Sequence, residues 1–160
     1  MYTSQTDIFD QAVSRYFAPL AANVNLPLHQ LIDGVYEIRG KDFTLRIRRH
    51  TGHIRGILIT IVSTAMIASD TNDLCNEIGL GNVAEYGGES IAEFLPDSDS
   101  EYLQSACVLA SETNKYLIPY LEGYRSDFAE LKKYVDDRTK EAMRDMQHYR
   151  FPSFVKKKWR

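Results

Sequence analysis

Three apolar runs separated by turn residues, between positions 35 and 63, constrain this chain more than any other feature. Phe43 to His50 alternates: Phe43, Leu45 and Ile47 point one way, and Thr44, Arg46 and Arg48 point the other. Strict alternation is the pattern of a strand with one buried and one wet face. Arg55 to Ser63 carries Ile57, Ile59 and Ile61 on one side and Leu58, Thr60 and Val62 on the other, so it belongs inside a sheet. Val35 to Arg39 is a shorter strand. Gly40-Lys41-Asp42 and Thr51-Gly52 supply the turns. Short connections make neighbouring strands antiparallel, so 35–39, 43–50 and 55–63 predict a meander of about three strands.

Helical periods flank this block. Ile8, Phe9, Ala12, Val13, Tyr16, Phe17 and Leu20 recur at spacings of three and four, which predicts a helix from Asp7 to Ala22. Leu26-Pro27-Leu28 then resets the direction, with His29 in a loop or at a helix start. Beyond residue 100, Leu103, Ala106, Cys107, Ala110, Leu117 and Leu121 mark one long helix capped by Asp99 or Ser100, which Pro119 kinks or ends. Phe128, Leu131, Val135, Ala142 and Met146 mark a second helix of about 20 residues. Between the sheet and these helices the pattern weakens. Asp73 to Ile78 is a short helix stopped by Gly79, Ser90 to Glu93 has capping-box spacing, and the rest of 69–100 is acidic and loop-rich. The fold class is therefore α+β: an N-terminal helix, a meander, an acidic insertion, and two long C-terminal helices packed on the sheet.

At 160 residues without repeat or linker the chain has the size of one domain, 1–160, ending in a basic aromatic tail over 150–160. The apolar run Ile57 to Ala68 is too short to span a bilayer, and no basic and apolar leader opens the sequence. Cys75 and Cys107 form no CxxC pair and read as reduced, small core residues of a cytoplasmic protein.

Charge is sorted along the chain. The net charge of −3 conceals a run from Arg39 to Arg55 with a net of +5, and a tail from Arg150 to Arg160 with another +5. Gly56 to Asn114 has no Lys or Arg and a net of −10. Three consequences compete. The acidic segment folds back on the basic hairpin and neutralises it. Or the basic segments bind a polyanion, with Arg46, Arg48, Arg49, Lys156, Lys157 and Lys158 on phosphates and Trp159 stacking on bases. Or the acidic segment presents Glu85, Tyr86, Glu89, Glu93, Asp97, Asp99 and Glu101 to a basic partner protein, with Tyr86, Phe94 and Tyr102 as aromatic anchors. By analogy of size and charge alone, small acidic proteins such as bacterial immunity proteins block basic nuclease toxins in this way.

Catalytic motifs give little. His50-Thr51-Gly52-His53 places two imidazoles at a hairpin tip, but a zinc site needs three or four ligands. Gly79-Leu80-Gly81-Asn82-Val83-Ala84 matches G-x-G-x-x-A, yet a polar segment precedes it where a buried strand is required. No Walker loop and no G-x-S-x-G elbow occurs. Asp97-Ser98-Asp99-Ser100-Glu101 starts like a calcium loop but lacks its glycine and its final Glu, so it reads better as a helix cap. The sequence thus predicts a non-enzymatic protein-binding domain, plausible as an inhibitor or immunity factor, with no cofactor and no membrane. A nucleic-acid-binding module is the alternative, and an enzyme built around His50 and His53 a third.

Overall fold

The computed structural model describes residues 5–51, 55–67, 76–91 and 95–150. The chain divides at Ser126/Asp127 into two compact units, each taken by itself below.

In the first unit the alternating block forms the centre of a five-stranded antiparallel sheet in the order β1-β2-β3-β4-β5. The strands are β1 (Leu28–Ile32), β2 (Val35–Arg39), β3 (Phe43–Arg49), β4 (Ile57–Ser63) and β5 (Ile78–Gly79). The three expected strands are β2, β3 and β4, and β4 lies inside the sheet as its two apolar faces require. Two strands are additional. β1 has no hydrophobic alternation because it is an edge whose last four residues are exposed, and its residue His29 is therefore in a strand rather than a loop. β5 is two residues long, and Ile78 lies in it rather than in a helix; Asp73, Cys75 and the rest of 68–75 lie outside the described residues. The β1–β2 turn is Asp33-Gly34, with Gly34 at φ +77°, a conformation that favours glycine.

Register sets the two faces. Leu28, Ile38, Leu45, Ile61 and Ile78 lie side by side across the five strands and build the apolar face. Helices cover it. The N-terminal helix runs as α1 (Gln5–Ala12), a π-helical segment (Val13–Phe17) and α2 (Ala18–Asn23). Pro19 lacks an amide hydrogen, and just ahead of it the helix widens so that the Ala18 N–H reaches the Val13 carbonyl. Phe9 packs its ring against Tyr36 of β2, whose hydroxyl donates to Asp10. Burial and the Asp10 carboxylate together raise the Tyr36 pKa.

The opposite face differs from expectation. Thr44 and Arg46, expected to be wet, are buried. A short helix, α3 (Thr64–Ile67), begins beside Thr44, and the two threonine hydroxyls meet at 3.0 Å. Glu77 reaches the same face. Polar side chains alternate here because they fill a second buried layer, not because they meet water.

After β5 come α4 (Leu80–Tyr86), α5 (Asp99–Tyr116) and α6 (Ile118–Leu121), which has Pro119 in its first turn. The cap of α5 is Ser98, one residue earlier than expected: its hydroxyl accepts from the Glu101 N–H, and the Glu101 carboxylate accepts from the Asp97 N–H. This reciprocal satisfaction of helix-end donors uses Asp97 to Glu101 as a cap. Cys107 is exposed on α5 rather than in the core. In the second unit α7 (Phe128–Arg150) is the expected last helix, with Lys132–Asp136 and Lys133–Asp137 pairs on its surface. Hydrogen bonding to Lys133 holds the Asp137 carboxyl below the usual carboxylate range.

Candidate interaction surface

Much of the basic hairpin is neutralised from within. Glu37, Arg46 and Thr60 are neighbours in register on β2, β3 and β4. Arg46 donates from Nε to Glu37 at 3.0 Å and from Nη1 to Glu77 at 2.6 Å. Glu77 also accepts from Arg48 and from the Thr60 hydroxyl. The side chains of Arg46, Glu37 and Glu77 are only 5%, 4% and 3% exposed. Burial disfavours the guanidinium charge, but the bonds to Glu37 and Glu77 outweigh it and the Arg46 pKa is raised. A buried charge is tolerated only when paired and hydrogen-bonded in this way. Arg49 pairs with Asp33, and Arg55 donates to Asp99 at 2.5 Å. Of the candidate polyanion ligands, Arg46, Arg48 and Arg49 therefore already hold carboxylates, whereas Lys156, Lys157, Lys158 and Trp159 lie outside the described residues.

The described acidic candidates divide into three groups. Asp99 is tied to Arg55. Glu89 accepts from Lys115 and from the Tyr116 hydroxyl, bonds that lower its pKa and raise those of both donors. Glu85 and Tyr86 on α4, with Asp97 and Glu101 at the start of α5, face or partly face solvent. Glu93 and Phe94 lie outside the described residues. Tyr102 is no exposed anchor: it is buried, donates to the Gly56 carbonyl at 3.2 Å, and burial pushes its pKa up to about 12.

What the sequence reading missed is a groove of about 630 Å³. Ile57 and Leu58 at the start of β4, Leu80 and Gly81 of α4, and Val108 and Leu109 of α5 line it. Ile91 and Leu95 complete the apolar wall, while His50, Arg55, Gln104 and Ser105 supply its polar edge. Leu58, Leu95 and Val108 are 37%, 68% and 51% exposed, so three large aliphatic side chains in one hollow meet water. None of its lining residues is a carboxylate, but acidic residues stand one turn from several of them along α4 and α5. Glu85 stands one turn after Gly81; Glu101 stands one turn before Ser105, and Glu112 one turn after Val108. Asp97 follows Leu95 by two residues. The only signal in the sequence was Leu58 on the outer face of an interior strand. Four separate segments build the rest, and no local period joins them.

Among the described residues no three His, Cys, Asp or Glu side chains gather as metal ligands. His50 lies on the groove, and His53 lies outside the described residues. No described helix is long and apolar enough to cross a membrane. Comparison of the chain with family models, curated proteins and solved structures found no match.

Proposed function

We propose that this chain is a protein-binding domain whose acidic segment, with the apolar groove it helps to build, receives a basic partner protein, in the manner of an inhibitor or immunity factor. The observation that supports this reading is that Leu58, Leu95 and Val108 are exposed in one hollow built largely from the stretch Gly56 to Asn114, whose net charge is −10. Exposed aliphatic groups in a hollow give a partner apolar surface to bury, and the surrounding charge speeds the approach of a basic protein and excludes acidic ones. The alternative, nucleic-acid binding, has less to draw on, because Arg46 and Arg48 are engaged with Glu77.

The test is retention of partners from cells that make the protein, at physiological salt. The expected result is a basic protein held by the natural chain and lost on charge reversal at Glu85 and Glu101. Equal retention by that variant and by one with Val108→Arg would reject the proposal.

A further inference from the structure

We infer that the partner meets the groove as an extended segment that adds to the sheet beside Gly56–Ile59 of β4, with aliphatic side chains entering the hollow; this rests on the protein-binding reading above. Three observations lead there.

The first is the direction of the β4 backbone. The Gly56 carbonyl accepts from the His50 N–H, on the β3 side. In an antiparallel ladder alternate residues turn both backbone groups to the same neighbour. Gly56, Leu58, Thr60 and Val62 therefore face β3, and Ile57, Ile59 and Ile61 face the β5 side. β5 pairs with Thr60 and Ile61 alone, and no strand among the described residues pairs with Gly56 to Ile59 on that side. The open stretch is about 13 Å long at roughly 3.3 Å per residue. Ile57 and Ile59 are buried, where an unpaired main-chain donor or acceptor is costly.

The second is that the groove opens on this edge. Gly56, Ile57 and Leu58 line it, together with Leu80 of α4 and Val108 of α5. Its one Lys or Arg is Arg55, which already donates to Asp99. Side chains that enter the hollow are therefore apolar, and the cations of a basic partner stay outside it. The Gln104 amide and the Ser105 hydroxyl in the lining can donate to and accept from the second edge of an added strand. A helix would satisfy its own backbone and leave the β4 groups as they are. An extended segment satisfies both, which is the mode of strand addition.

The third is the lack of a guard. Sheets blunt their open edges with lysine, proline or a bulge. The edge strand β1 has a bulge between Gln30 and Ile32. Gly56-Ile57-Leu58-Ile59 has neither charge nor proline, and its register with β3 runs unbroken from Ile57.

The probe is the fluorescein-labelled peptide Lys-Val-Thr-Val-Thr-Val-Lys, followed by fluorescence anisotropy. It is compared with forms N-methylated at the valines or at the threonines, because only one of these sets of amides can face β4. One form is expected to bind at least about tenfold more weakly than the other, as the loss of two main-chain hydrogen bonds implies. With peptide at about ten times its Kd, hydrogen exchange of the Ile57 amide is expected to slow about tenfold, following the bound fraction. The Leu58 amide, turned to β3, is expected not to change. Val108→Arg should abolish binding and Leu95→Ser weaken it, with far-UV circular dichroism establishing that each variant is folded. Glutamine in place of both peptide lysines should weaken binding about threefold at low salt and remove its salt dependence.

If the two N-methylated forms bind equally, or the Ile57 amide exchanges as before with peptide bound, strand addition fails; retention of a basic partner through Glu85 and Glu101 would still uphold the protein-binding reading. If Ile57 is protected but the glutamine peptide binds as well as the lysine one, the strand site stands and the basic-partner reading fails. If no peptide binds at millimolar concentration while naphthalene enters the hollow, the groove is a small-molecule pocket and the inference is overturned. Protection of Ile57 in a dimer without peptide would assign the edge to a second copy and overturn it equally.

Discussion

Arg46 and Glu77 stand 31 residues apart in the sequence and meet at 2.6 Å inside the protein, with both side chains almost wholly removed from water. Glu77 is two residues before Gly79, so the pair fixes β5 and the start of α4 to the centre of the sheet. It also joins the acidic segment to the basic hairpin. Removing one member of a buried pair leaves the other charge without compensation, which typically costs 3–5 kcal/mol. Because Arg46 keeps Glu37, Glu77→Gln is expected to lower unfolding stability by about 3 kcal/mol in urea titrations. Asp33→Asn, which breaks the more exposed pair with Arg49, is expected to cost less than about 1 kcal/mol. Similar losses at the two sites would contradict this account of the network.

Tyr102 gives a pH signature. Below its ordinary pKa of 10 the phenol is neutral in both the folded and the unfolded chain, while burial holds the folded form neutral up to about 12. Between these values the unfolded state loses its proton first. Stability therefore falls as pH rises from 10 to 12, by at most about 1.4 kcal/mol per pH unit and about 3 kcal/mol in all. Tyr102→Phe is expected to remove this component and to cost about 1 kcal/mol at neutral pH, since the Gly56 carbonyl loses its donor. Urea titrations from pH 9 to 12, with phenolate absorbance as the second readout, measure both effects.

The strands around Leu45 and Ile61 were legible because period-two alternation and Gly40 or Thr51-Gly52 turns state the register locally. Long helices were legible from apolar recurrence at three and four, and the break at Pro119 from the missing proline N–H. The outer sheet was not. The exposed edge around His29 buries nothing that would enforce a pattern, and Ile78-Gly79 is too short to carry one. Thr44 and Arg46 were misread because alternation separates two faces without saying what covers the second. Charge sorting made it clear that acids and bases would meet, but it could not single out Glu77 among ten acidic side chains between Gly56 and Asn114. Leu95 and Val108 belong to different segments, so their groove exists only after folding.

Two glycines separate backbone strain from backbone entropy. At Gly34, φ is +77° and an added Cβ would stand 3.2 Å from the Arg49 guanidinium. Gly34→Ala is therefore expected to destabilise by about 1–2 kcal/mol, the cost of a left-handed conformation for a residue with a side chain. Gly81 lies inside α4, with no heavy atom within 4 Å of an added Cβ. Gly81→Ala should stabilise by about 0.5–1 kcal/mol, because alanine loses less backbone freedom on entering a helix. Thermal unfolding of the two variants is expected to show midpoint shifts of opposite sign.

The engaged arginines also decide how nucleic-acid binding must be tested. Phosphate affinity grows with the number of cations available to displace counterions, and its salt dependence scales with that number. Arg46 and Arg48 each donate to Glu77, so releasing them for a phosphate would forfeit the buried pairs. An Arg46→Ala variant would lose binding through loss of structure and is uninformative. The appropriate comparison is the natural chain with a triple Lys156→Ala, Lys157→Ala, Lys158→Ala variant against labelled oligonucleotides at low salt. The protein-binding proposal expects no salt-dependent shift in either. A shift present in the natural chain and absent in the triple variant would instead assign the polyanion role to the tail, independently of Arg46 and Arg48.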